Sequence, residues 1–275
     1  MRILLTVLVF IFAPILTEQG LQIGEININN QKIKIMKMNL NNPAFLQMAG
    51  NAGKTASLFC VTSLADNNEI TFANTKLGAF ADNVEYSTDN AETWNQLTAD
   101  TVITLGNAET VYFRNYTKEV YSEAMGTNVL KTSDSYSIGG NITALFYPGG
   151  DLPAYAFKEA FENDTNLITA SALTLPATTL AESCYNSMFS GCTGLTAAPT
   201  LPATTLAEYC YSHMFYGCTG LTEITCLATD ISADDCVNDW LGDVADEGTF
   251  TKAADMEDWP TGTSGIPSGW TVQNQ

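Results

Sequence analysis

Residues 23–38, IGEININNQKIKIMKM, alternate apolar and polar positions on both sides of an Asn-Asn step. Alternation puts every second side chain on one face of a strand, and Asn29–Asn30 suits a tight turn, so this stretch predicts a β-hairpin. From about residue 55 to 145 short strand-like runs follow at even spacing, among them SLFCVTSL, EITFANT, NVEYSTD, TVITL and TVYFRN. Turn residues separate these runs, and helical periodicity never survives beyond a turn or two. Short, evenly spaced strands of this kind predict an antiparallel β-sandwich over residues 55–148. The stretch FYPGGDLP then breaks any regular element and marks a boundary at about residue 149.

Beyond the boundary the period turns helical and the chain repeats itself. LPATTLAESCYNSMFSGCTGLT, Leu175 to Thr196, returns as LPATTLAEYCYSHMFYGCTGLT, Leu201 to Thr222. Leu175 to Leu201, Cys184 to Cys210 and Cys192 to Cys218 are each 26 residues apart. A degenerate copy containing Phe161 and Leu167 precedes them and another containing Cys236 and Trp240 follows, giving about four units. Thr179 with Glu182, and Thr205 with Glu208, read as capping boxes, and Gly191 and Gly217 as the glycines that end a short helix. Ala181, Cys184, Tyr185 and Met188 fall at i, i+3, i+4 and i+7, one apolar face. A helix this short must bury that face on its neighbours, so the units are expected to stack. The fold class expected is mixed α and β: an N-terminal antiparallel β-sandwich, then a short α/β repeat solenoid over 149–246 and a C-terminal cap over 247–275.

The two central copies differ at Ser183/Tyr209, Asn186/Ser212, Ser187/His213 and Ser190/Tyr216 and nowhere else within the 22 residues. On a helix these positions lie opposite the cysteines. The unchanged residues Cys184, Met188, Cys192 and Leu195, with Cys210, Met214, Cys218 and Leu221, are therefore the expected repeat core. Tyr209, Ser212, His213 and Tyr216, with Asn186 on the preceding copy, are the candidate binding surface, because exposed aromatic residues on a rigid array make good anchors.

The sequences MFSGCTGLT and MFYGCTGLT, linked by LPATTLA, resemble the BspA-type leucine-rich repeats of surface proteins of anaerobic gut bacteria and their prophages. The resemblance continues through CLATDISADDC into GTFTKAADMEDWPTGTSGIPSGWTV, which looks like the cap of that group, and backwards to about residue 68. It implies leucine-rich repeats, surface display and binding of a protein or glycan, with no catalytic set. The first unit departs from it, lacking both cysteines and carrying Tyr155–Ala156 where the Cys-Tyr pair stands later. The early hairpin resembles segments of phage appendage proteins, which keeps a virion component as the alternative.

Charge narrows the function further. Charged residues make up 15% of the 275 and the formal net charge is −19, which argues against nucleic acid as a partner. After residue 150 only Lys158 and Lys252 stand against seventeen carboxylates. At the start, MRILLTVLVFIFAPIL reads as the charged and apolar regions of a secretory signal over residues 1–20, with 21–54 as hairpin and linker. It is too short for a confident membrane span, so no transmembrane segment is expected beyond it.

The cysteines lack the C-x2-C spacing of a zinc site, and neither metal nor cofactor is expected. Helix spacing of about 8–10 Å argues against a Cys184–Cys210 bridge, whereas Cys192–Cys218, placed in loops, stays open. Ser87 to Trp94, STDNAETW, resembles the Asp-box of sialidase-like propellers with Ala91 in place of its glycine, and a simple hairpin turn at Asp89 and Asn90 accounts for it. No nucleophile elbow, phosphate loop or Cys-His pairing emerges. The expectation is a non-enzymatic protein, exported or at the cell surface, that binds an unknown protein or glycan; a module accompanying a carbohydrate-active enzyme ranks below the phage alternative.

Overall fold

The computed structural model describes residues 22–28, 31–37, 55, 58–72, 82–98, 100–117, 130–148 and 151–275. The signal-like segment 1–20 and the linker 38–54 lie outside them. The chain divides into two compact units, Met1–Gly53 and Lys54–Gln275. In the first, β1 (Gln22–Ile28) and β2 (Gln31–Lys37) pair antiparallel, with Ile28 opposite Gln31 and Gln22 opposite Lys37.

The second unit opens with strands that alternate between core and surface. β3 (Phe59–Ser63) buries Phe59, Val61 and Ser63, and β4 (Asn68–Phe72) buries Asn68, Ile70 and Phe72. β5 (Val84–Ser87), β6 (Asn95–Gln96), β7 (Val102–Leu105), β8 (Thr110–Asn115), β9 (Leu130–Thr132), β10 (Tyr136–Asn141) and β11 (Leu167–Thr174) follow. They form a six-stranded sheet in the order β11-β10-β3-β8-β5-β6 and a three-stranded sheet β7-β4-β9. All these pairings are antiparallel except β10 with β11. Phe72 of β4 meets Phe113 of β8 edge-on at 5.0 Å, which joins the two sheets in one core. A five-residue helix, α1 (Ile142–Phe146), is capped by Asn141, whose side chain accepts from the Ala144 N–H at 3.1 Å.

The α/β solenoid is not what the repeats build. Strand makes up 32% of the structure and helix about 4%, so the fold is β-rich. Segments 153–164, 181–192, 207–218 and 233–244, the four copies, contain turns in place of helices. In each, alternate N–H groups close turns onto the carbonyl three residues back, such as Cys184 to Ala181, Asn186 to Ser183 and Met188 to Tyr185. The intervening N–H groups donate to the next copy: Ser183 to Glu208, Tyr185 to Cys210, Ser187 to Ser212, Phe189 to Met214 and Gly191 to Tyr216. An α-helix would send every one of those N–H groups to the carbonyl four residues back in its own segment.

The backbone makes the helix impossible at a second level. Ser183 and Ser187, Tyr209 and His213, and Asp235, Asp239 and Asp243 have φ between 47° and 54°, and Gly191 and Gly217 continue the spacing at 73° and 72°. A left-handed residue at every fourth position cannot belong to a right-handed helix. The true period is four, with two inward side chains per period: Cys184 and Tyr185, Met188 and Phe189, then Cys192. Serine, asparagine, tyrosine and cysteine, which fill these segments, are also poor helix formers. Cross-copy bonding satisfies their backbones instead.

The return paths complete the sheet. Thr169, Ala197 and Glu223 are joined by parallel bridges, and β12 (Glu223–Cys226), β13 (Gly248–Lys252) and β14 (Trp270–Asn274) pair in parallel. Inside, equivalent rings stack copy upon copy. Phe157, Tyr185, Tyr211, Trp240 and Trp259 form one column with centroid spacings of 5.8, 6.1, 6.4 and 5.6 Å. Phe161, Phe189 and Phe215 form another at 5.5 and 5.6 Å. Tyr147, just after α1, covers the first column edge-on at 5.3 Å from Phe157, and Trp259 covers its far end.

Candidate functional site

The outer edge of the copies carries the sequence-derived candidates. Tyr209 and His213 occupy left-handed positions of the third copy and are half-buried, while Tyr216 is exposed at 37%. Ser212 is buried at 2%, and its Oγ lies 2.9 Å from His213 Nδ1. The His213 ring meets Tyr216 edge-on at 5.9 Å. Asn186, half-buried on the second copy, accepts from Ser187 Oγ at 3.1 Å. The structure therefore gathers Tyr209, His213 and Tyr216 on one face and corrects the assumption that every variable position faces out, since Ser183 and Ser212 are buried.

Each tyrosine is tied to a carboxylate of the following copy. The Tyr155 hydroxyl donates to Glu182 Oε1 at 2.6 Å. Tyr209 is hydrogen-bonded to Asp235 and Tyr216 to Asp243. In all three the hydrogen bond to the carboxylate, and then its charge, pushes the phenol pKa up. Sequence reasoning left Tyr155, Glu182, Asp235 and Asp243 out of the site. A signal was available, because these carboxylates follow their tyrosines by 27, 26 and 27 residues, close to the 26-residue repeat.

The repeat-core residues Cys184, Met188, Cys192, Leu195, Cys210, Met214, Cys218 and Leu221 all have no exposed surface. All seven cysteines are free thiols. Cys192 and Cys218 donate to the carbonyls of Phe161 and Phe189 at 2.9 and 3.0 Å. Burial pushes Cys184, Cys218 and Cys226 up to about 12 and raises Cys192 and Cys210 as well. Half-buried Cys60 is pushed up to about 11. Thiols held this far above neutrality are poor nucleophiles and poor metal ligands. Among the described residues no group of three or more His, Cys, Asp or Glu side chains is placed to hold a metal.

The Asp-box-like stretch makes the turn between β5 and β6. Ser87 Oγ donates to Asp89 Oδ1 at 2.6 Å and accepts from the Ala91 N–H at 3.0 Å. Thr93 N–H donates to Asp89 Oδ1 at 2.9 Å, and Asn90 and Ala91 take φ of 65° and 64°. These bonds, led by those from the Ser87 and Thr93 side chains, hold the Asp89 carboxyl down at about 2. Trp94 then lies under Arg114, whose Cζ is 4.0 Å from the ring centroid. The side chains of Ser87, Asp89 and Thr93 are engaged in holding the turn.

Among the described residues no helix is long and apolar enough to cross a membrane. The chain matches no protein-family model, no curated protein and no solved structure.

Proposed function

We propose that this chain is a non-enzymatic binding protein that works at a cell surface or after secretion, with the outer edge of its stacked copies as the contact face. The observation that carries the reading is the gathering of Tyr209, His213 and Tyr216 on a backbone hydrogen-bonded to its neighbours at alternate residues. A face that is already ordered gives up little conformational freedom on binding, so its aromatic groups can act as anchors. The ligand class is a protein or glycan presented at a surface.

The test is capture of the full chain on glycan and matrix-protein arrays, compared with a Tyr209→Ala, Tyr216→Ala variant whose fold is checked by thermal melting. Loss of the captured signal in the folded variant supports the reading. An unchanged signal removes this face from the function.

A further inference from the structure

At two places among the described residues a cation lies close to both an aromatic ring and a carboxylate. Arg114 lies over Trp94 at 4.0 Å, and its Nε donates to Glu85 Oε2 at 2.7 Å. Lys158 Nζ lies 5.8 Å from the Tyr155 ring centroid and 3.5 Å from Glu159, while the Tyr155 hydroxyl donates to Glu182. Both distances fall within the range in which a ring face attracts a cation. The third copy keeps the tyrosine tied to a carboxylate of the following copy but lacks both the cation and its neighbouring carboxylate, since His213 stands where Glu159 does. Tyr209 is bonded to Asp235 and Tyr216 to Asp243, with Asp239 also close to Tyr216, yet the position equivalent to Lys158 is Ser212. Among the described residues no lysine or arginine lies over either ring, and Lys252, the other lysine beyond residue 150, donates to the Met256 carbonyl.

Resting on the proposed binding role of this face, we infer that Tyr209 and Tyr216, with Asp235 and Asp243, receive the lysine or arginine side chains of a basic polypeptide segment. The first copy supplies a precedent for the ring alone, with Lys158 lying against a tyrosine whose hydroxyl is tied to a carboxylate of the next copy. Charge favours the same class of partner, because seventeen carboxylates against two lysines beyond residue 150 attract a cationic chain. Two carboxylate-tied rings on one copy call for a ligand bearing several cations rather than a single amine.

Fluorescence anisotropy of labelled deca-arginine and decalysine peptides with the full chain at about 0.15 M salt tests this, with deca-glutamate as the control. The informative variant is Tyr209→Ser with Tyr216→Ser. The second copy carries Ser183 and Ser190 at these positions in the same backbone arrangement, so the fold accommodates them, and the net charge is unchanged. The double variant is expected to bind the basic peptides about tenfold more weakly. Lys158→Ala, which bares the Tyr155–Glu182 pair, is expected to tighten binding. Equal affinity of parent and double variant would reduce the attraction to bulk charge and overturn the inference, as would a Lys158→Ala variant that binds no better. If the arrays yield a neutral or acidic ligand that is lost with the tyrosines while basic peptides fail to bind, the binding role stands and the cationic partner falls. If no array ligand depends on the tyrosines, both fall.

Discussion

The antiparallel sheets and the stacked copies solve the same packing problem by different rules. In β3, β8 and β4 the facing residues come from distant, unrelated stretches, so rings meet as geometry allows: Phe59 and Phe113 tilted at 31°, Phe72 and Phe113 edge-on at 72°. In the copies, parallel pairing brings each residue beside its own equivalent, and Phe161, Phe189 and Phe215 lie within 6° of parallel. The difference teaches why only the second region repeats in sequence. Antiparallel pairing gives no advantage to duplication, whereas in-register parallel stacking satisfies each new copy with the contacts of the last. Turns differ in the same way. The β5–β6 turn is held by side chains of Ser87, Asp89 and Thr93, while the copies rely on left-handed backbone at every fourth residue.

The largest expected effect tests the ring column. Trp240 stacks between Tyr211 and Trp259 and donates its Nε1–H to the Gly265 carbonyl at 2.9 Å. Trp240→Ala is expected to cost about 3–5 kcal/mol in urea unfolding, with the midpoint falling. A cost below about 1 kcal/mol would break the comparison, because the column would then not be what holds the copies.

A smaller effect tests the backbone rule. Gly217 has φ of 72°, and an added Cβ would meet only ordinary contacts at 3.7 Å, so Gly217→Ala isolates the strain of the left-handed position. The expected loss is about 1–2 kcal/mol. Ser187→Gly, at φ of 53°, is expected to gain up to about 1 kcal/mol. Gly106→Ala, beside β7 and with the Glu109 carboxylate no nearer than 3.4 Å, is expected to stay within about 0.5 kcal/mol. Calorimetric melting of the three variants ranks them, and a neutral Gly217→Ala would contradict the assigned backbone.

The smallest effect belongs to the side-chain-built turn. Asp89 falls from an ordinary 3.8 to about 2 in the folded chain. Its folded-state pKa is depressed, so the stability it contributes is full above about pH 4 and is lost as pH falls through about 2. Asp89→Asn should therefore melt below the parent at pH 7, with the gap narrowing over that window. A gap that stays constant from pH 4 to below pH 2 would show that the carboxylate charge does not hold the turn.

Much of the β part was legible because burial there follows the simplest rule available. Phe59, Val61 and Ser63 are buried at every second position, and so are Asn68, Ile70 and Phe72. The repeat length and the inward cysteines were legible too, since identity between copies is visible without any structural assumption. The helix was a false reading with a definite cause. Ala181, Cys184, Tyr185, Met188, Phe189 and Cys192 fit one face of a 3.6-residue helix as well as a period of four, so apolar spacing over twelve residues does not separate the two. The aspartates at 235, 239 and 243 carried the correction, because Asp tolerates left-handed backbone better than most residues and here recurs at intervals of four. The candidate face was half legible. Its tyrosines stood out as differences between copies, but their carboxylates did not, because pairing one copy with the next depends on the stacking that the helix reading had wrong.

The covers over the ring column carry a consequence for how such a gene can change. Along that column Tyr147 meets the ring of the first copy and Trp259 that of the last, while the rings of the middle copies lie between rings of neighbouring copies. Unequal recombination that inserts or removes one whole 26-residue copy would leave both covers seated and every ring beside an equivalent. A shift of a single codon within a copy would rotate the four-residue frame and strand every inward side chain. Such an array can lengthen or shorten its outer face between generations in whole copies, while point substitution at the outward tyrosines retunes what each copy offers.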